Sequence, residues 1–229
     1  MTDFDFSRLG EIPDPYAPPA ADVAARAPHV ASLPLSRTRA DVQRARAAAL
    51  VGALLFNGGW IAFVERRRDL GSLAPETLAV GLGIPLVAAV VALIAVARPG
   101  ARGLGGRVAE LAALVCIPPL LFAISTLATV PPVAAQGPFV GPALRCMGVA
   151  AVLAVAPFIV AVLVMRRSFV ASAAWRTAAL GVACGGLAAA TMSVACSNGE
   201  PMHVLVAHGA MMLLVGLAGA FAGARLTRA

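Results

Sequence analysis

Six uninterrupted apolar blocks dominate the chain, at roughly Ala45 to Val64, Leu78 to Ala97, Val108 to Val130, Pro142 to Met165, Trp175 to Val194 and Val204 to Ala224. About 20 such residues wound as a helix span roughly 30 Å of hydrocarbon, and each block reaches that length. The strands of a transmembrane barrel would instead alternate apolar and polar residues over short segments, which none of these blocks does. The pattern therefore predicts an all-α fold: an integral membrane bundle of six transmembrane helices over residues 45–229, preceded by a short disordered tail over residues 1–44. Composition points the same way, with 60% hydrophobic residues and a mean hydropathy of +0.87, both far above a water-soluble domain. The connections leave no room for a second domain.

The tail differs in kind. It is acidic at its start and then rich in proline (Pro13, Pro15, Pro18, Pro19, Pro28, Pro34), so it buries too little apolar surface to order by itself. No basic stretch leads promptly into an apolar core, and the tail is expected to be retained rather than cleaved as a signal peptide. Asp22 to Arg26 and Thr38 to Arg46 are the pieces most suited to fold as helix on a partner.

Charge adds orientation. The cationic residues are all Arg, with no Lys, and basic groups flanking a span resist translocation. Arg37, Arg39, Arg44 and Arg46, then Arg98, Arg102 and Arg107, then Arg166, Arg167 and Arg176, and finally Arg225 and Arg228 fall on one side. The other side receives Arg66, Arg67 and Arg68, partly offset by Glu65, Asp69 and Glu76, together with Arg145. Both termini are expected in the cytoplasm of a bacterial cell, with the bundle in the inner membrane. Topology and anionic head groups account for the net charge of +7, so no direct nucleic-acid contact is inferred; lipid is the first partner.

Within the blocks, small residues mark close helix contacts: Gly181 and Gly185 in the fifth, Gly219 and Gly223 in the sixth. Pro85, Pro118, Pro119 and Pro157 are expected to kink or locally break their helices, since each removes a backbone donor. Asn57 is a deep polar side chain expected to hydrogen-bond a neighbouring helix. No Asp, Glu, Lys or Arg lies near the middle of any block; the nearest, Glu110, sits at an end beside Arg107. Ion-coupled pumps and transporters place ionisable groups at that depth. The few serines, and the absence of GxSxG, HExxH and CxxC, point away from an enzyme, and no cofactor is expected.

The four cysteines divide by depth. Cys116 and Cys184 fall mid-block and read as small apolar fillers. Cys146 opens the fourth block and Cys196 follows the fifth, so both belong to the outer face. Two thiols there can join if their Cα atoms come within about 7 Å. Met147, Met192, Met202, His203 and His208 stand nearby in sequence. Cys146, Cys196, His203 and His208 are thus candidate ligands for a soft or borderline metal, bound transiently. Five residues separate the histidines, roughly 140° around an ideal α-helix, so they share a site only if His203 belongs to a loop. Structural thiols are the plain alternative.

The second half of the chain is similar to a known family. The basic turn Arg166-Arg167, the Gly-rich fifth block (Gly181, Gly185, Gly186), Cys196 followed by His203 and His208-Gly209, and the closing helix ending in Arg225 resemble the NrsF-type negative regulators of sigma factor F. These are six-helix inner-membrane anti-sigma proteins. The resemblance, over roughly the last 130 residues, implies that the N-terminal segment holds an extracytoplasmic-function sigma factor and that Cys146 and Cys196 are sensor thiols for metal or oxidative stress. Asp22, Arg26, Arg37 and Arg39 would then be partner-binding residues of the tail. A small transporter, or a scaffolding membrane protein without catalytic activity, is the alternative.

Overall fold

The apolar blocks fold as helices whose ends fall within a few residues of the hydropathy limits. The computed structural model describes residues 39–63, 71, 73–97, 108–129, 140–165 and 172–226. Among them are six long helices and no strand: α1 (Arg39–Phe63), α2 (Pro75–Ala97), α3 (Val108–Thr129), α4 (Val140–Met165), α5 (Ala173–Ala195) and α6 (201–226). All six are long and apolar enough to cross a membrane. Two are not uniform. In α2, Ala79–Gly83 is π-helical, and in α6 Val204–His208 is π-helical between Pro201–His203 and Ala210–Leu226. The helical piece read at Thr38 to Arg46 is continuous with the first block from Arg39 onward.

From Ala40 to Ala229 the chain forms one compact unit, and α5 is its axis. The apolar stretch of α5 is 94% buried, against 11–50% for the other five helices. Yet α5 is less apolar than α2, α3, α4 or α6. When the surroundings are as apolar as a leucine side chain, greasiness does not sort helices inward; close packing does, and it favours small side chains. Alanine and glycine fill α5, and α2, α3, α4 and α6 pack directly on it.

The α5–α6 seam shows how close. Gly181 faces the Val215 carbonyl and Gly219 faces the Thr177 carbonyl, leaving no space for a Cβ on either glycine. At Gly185 a Cβ would lie 2.5 Å from Met212 Cα. The Thr177 hydroxyl sits in the same seam, 2.7 Å from the Ala173 carbonyl and 2.5 Å from the Gly219 carbonyl. Both glycine pairs singled out by their spacing therefore lie where backbones touch. Facing outward, Leu55, Val87, Leu120, Leu144, Leu217 and Phe221 are exposed. A surface this apolar on every outer helix suits acyl chains rather than water.

Helix α1 is the least buried; Ala53 and Leu50 pack on the apolar core, and polar bonds add to that contact. Arg46 Nη1 donates to the Ala97 carbonyl at 3.2 Å, closing the C-terminal end of α2. Near its middle, Asn57 is 2% exposed and bonds in two directions: its amide nitrogen donates to Leu153 of α4 at 3.4 Å, and its amide oxygen accepts from Thr191 of α5 at 3.0 Å. The deep asparagine thus bonds its neighbours as expected.

Ahead of Pro85 the helix leaves α geometry, in the π-helical stretch Ala79–Gly83, whereas the other prolines expected to break their helices sit inside continuous α-helix. Helix α3 runs through Pro118 and Pro119, and α4 runs through Pro157. What Pro157 does instead follows from its missing N–H, because the carbonyl four residues earlier, that of Leu153, loses its helical donor. That freed carbonyl is the one that accepts from Asn57. A neighbouring helix re-satisfies the group, so the helix continues.

Candidate thiol and imidazole site

The start of α4, the end of α5 and the start of α6 meet at one end of the bundle. Cys146 lies nearly two turns into α4 and is half-buried. Cys196 caps α5 in extended conformation, its N–H bonded to the Met192 carbonyl at 2.8 Å. A short link follows, turned by the Asn198 side chain accepting from the Glu200 N–H at 3.0 Å. Pro201 then opens α6, where its missing N–H costs nothing.

His203 and His208 are both fully buried. They meet by a different route from the loop required of an ideal α-helix, because His203 is itself helical. The intervening Val204–His208 stretch is π-helical, with the Gly209 N–H bonded to the Val204 carbonyl at 3.2 Å. This wider turn brings residues five apart onto one face. The rings stand edge to face, their centroids 5.4 Å apart at 86°. Gly209 is required at the return to α-helix: a Cβ there would lie 2.5 Å from the Leu205 carbonyl and 3.0 Å from the Phe122 ring of α3.

The four side chains converge. Cys146 Sγ lies 3.5 Å from Cys196 Sγ, and Cys196 Sγ lies 3.5 Å from His203 Nε2. With His208 included, one donor atom from each residue falls within 4.8 Å of all the others. Both ring nitrogens of His208 are buried without a hydrogen-bond partner among the described residues. An unsatisfied buried polar group costs on the order of 1–3 kcal/mol. Such an arrangement can join two sulfurs or present two sulfur and two nitrogen donors to one cation.

Among the other sequence candidates, Met147 and Met192 belong to the same apolar cluster as Cys146 and Cys196, whereas Met202 is exposed. Cys184 is buried within α5, and Cys116 is exposed on α3. Asp22, Arg26 and Arg37 lie outside the described residues, and Arg39 is the first residue of α1. At the opposite end, about 30 Å away along α5, Arg176 is buried near the start of that helix. Arg46 lines a small, open pocket there with Ala97, Ala161 and Leu180. Neither the π turn, nor this arginine end, nor the Pro157-freed carbonyl is announced by hydropathy.

The fold and the site define a class: an all-helical bundle of membrane-spanning dimensions, with a thiol and imidazole cluster at one end and arginines at the other. The chain belongs to the NrsF family, negative regulators of sigma F, whose family model matches residues 30–228. It is thus a member of a family of negative regulators whose target is a sigma factor. No curated protein and no solved structure matches the chain.

Proposed function

We propose that this protein is a multi-pass anti-sigma factor of the bacterial inner membrane. In this reading both termini are cytoplasmic, and the N-terminal tail with Asp22, Arg26 and Arg37, together with Arg39 at the start of α1, holds an extracytoplasmic-function sigma factor. Stress at the outer face releases it. The Arg distribution supports the orientation, since Arg46 and Arg176 lie at the end opposite Cys146 and Cys196. The observation that carries the sensing role is the 3.5 Å approach of the two sulfurs across α4 and α5.

A peroxide can oxidise that pair. Its O–O bond breaks and takes two electrons from the thiols, which lose two protons; an S–S bond forms and water and an alcohol, or two waters, leave. The sulfurs close from 3.5 Å to about 2.05 Å. The helices that carry them are the ones that grip Asn57, through Leu153 seven residues beyond Cys146 and Thr191 five residues before Cys196. A shift between α4 and α5 therefore reaches α1, the helix that continues into the sigma-binding segment. Such a switch acts only if the oxidised site favours one packing over the other.

The test is a sigma-dependent reporter with Cys146→Ser and Cys196→Ser, exposed to peroxide or cadmium. Lost induction is expected, with sigma still retained by the membrane fraction. Unaltered induction refutes the sensor role. Full-strength sigma binding after deletion of residues 1–38 refutes the tail contact, and no sigma binding by the full chain returns the transporter and scaffold alternatives.

A further inference from the structure

We propose that Cys146, Cys196, His203 and His208 form a four-coordinate site for a divalent d10 cation, Zn2+ or Cd2+, joining α4, α5 and α6. The inference deepens the sensing reading above by naming the ligand class of that site, and it rests on that reading only for its consequence, not for binding itself.

Geometry is the first support. A tetrahedral zinc with bonds of about 2.3 Å to sulfur and about 2.05 Å to nitrogen sets its ligands about 3.8 Å apart for two sulfurs and about 3.5 Å apart for sulfur and nitrogen. The observed separations are 3.5 Å between the sulfurs and 3.5 Å between Cys196 Sγ and His203 Nε2. The widest pair lies no more than 4.8 Å apart, so closing on a metal asks for shifts of about 1 Å, within rotamer adjustment.

The second support is independent of those distances. His208 is fully buried and neither ring nitrogen has a hydrogen-bond partner among the described residues, while its ring is turned toward the sulfurs and His203. An apolar core has no use for an imidazole in that condition; a metal ligand needs a bare nitrogen lone pair. The chain also departs from regular α-helix at Val204–His208, the one departure that aligns the two histidines. π turns of this kind recur at functional sites.

Charge selects the cation. Two thiolates and two neutral imidazoles carry a total of −2, which a divalent ion cancels, so the loaded site is neutral where burial penalises net charge. A monovalent ion would leave one charge uncompensated. The sulfur and imidazole donor set excludes hard ions such as Mg2+ and Ca2+, and a tetrahedral S2N2 arrangement is characteristic of zinc. From protonated thiols, binding releases two protons to solvent. Because the same sulfurs serve both events, bound metal and disulfide exclude one another.

The experiment uses the full-length reduced protein in detergent, titrated with CdCl2 or ZnCl2 alone. One metal per chain is expected, with a cadmium–thiolate ultraviolet band and two protons released per ion. His208→Ala and His203→Ala should each weaken binding about 100-fold or more, since even partners one shell out matter 10- to 100-fold. X-ray absorption of the zinc-loaded wild type should give two sulfur and two nitrogen neighbours, a result independent of whether the variants fold. Zn2+ should also shield Cys146 and Cys196 from maleimide in the wild type. Absence of binding, four sulfur neighbours, or unchanged affinity in a folded His208→Ala protein overturns the site. If metal binds as described and the sigma reporter ignores zinc, cadmium and peroxide alike, the site stands and the sensing reading falls.

Discussion

Replacing Asn57 with Leu tests the polar node that joins α1 to the cysteine-bearing helices. The substitution removes the donor to the Leu153 carbonyl and the acceptor for the Thr191 hydroxyl. Thr191 keeps its bond to the Leu187 carbonyl at 2.9 Å. The Leu153 carbonyl lacks the α-helical donor four residues on, because Pro157 supplies no N–H. The cost is thus concentrated on one buried acceptor, and the expected loss is about 1–2 kcal/mol, at the upper end of interhelical hydrogen bonds measured in membranes. Denaturation in mixed micelles, followed by helical signal, measures it. The decisive variant is Asn57→Leu with Pro157→Ala, which restores an N–H four residues beyond Leu153. In that background Pro157→Ala should recover about 1 kcal/mol more than it gives in the wild type. Equal effects of Pro157→Ala in both backgrounds would refute the coupling between the proline and the asparagine.

The π turn makes a second prediction. Gly209→Ala puts a Cβ against the Leu205 carbonyl, at a cost of about 1–3 kcal/mol that exceeds the roughly 1 kcal/mol gained in helix propensity. Deleting Leu205 in that variant should rescue it by restoring regular helix, with the histidines four apart and about 40° from each other; thermal unfolding of the three proteins decides. A mild two-electron oxidant should link Cys146 to Cys196 within one chain and leave Cys184 reduced, read by mass spectrometry of the alkylated protein. Linkage through Cys184 would contradict its burial in the middle of α5. Arg46→Leu removes the side chain that closes the end of α2 and should cost about 0.5–1.5 kcal/mol, seen as faster amide exchange around Ala97. Gly181→Ile should separate α5 from α6, abolishing an engineered cross-link across that seam; an intact cross-link would contradict the backbone contact.

The six helices are legible in the chain because span length and apolar content are set by the solvent they must meet. The seams are legible for a related reason, since Gly181, Gly185 and Gly219 leave little side chain to contest the approach of a neighbour. Hydropathy is nearly silent on which helix is central, because α5 is among the less apolar and owes its position to residue size. The histidine pairing was hidden by the assumption of 100° per residue, which sets His203 and His208 apart; one residue of extra winding reverses that result. Residue 157 marks a lost donor correctly, but the outcome depends on Asn57, 100 positions earlier, which no local pattern connects to it.

Where α5 and α6 touch main chain to main chain, there is no cushion of flexible side chains to absorb displacement. The two rods consequently slide or tilt as one stiff member, and about an ångström of travel imposed on the sulfur end would arrive at the arginine end nearly undiminished. A larger residue anywhere along that contact would act like play in a linkage, loosening the two rods from one another.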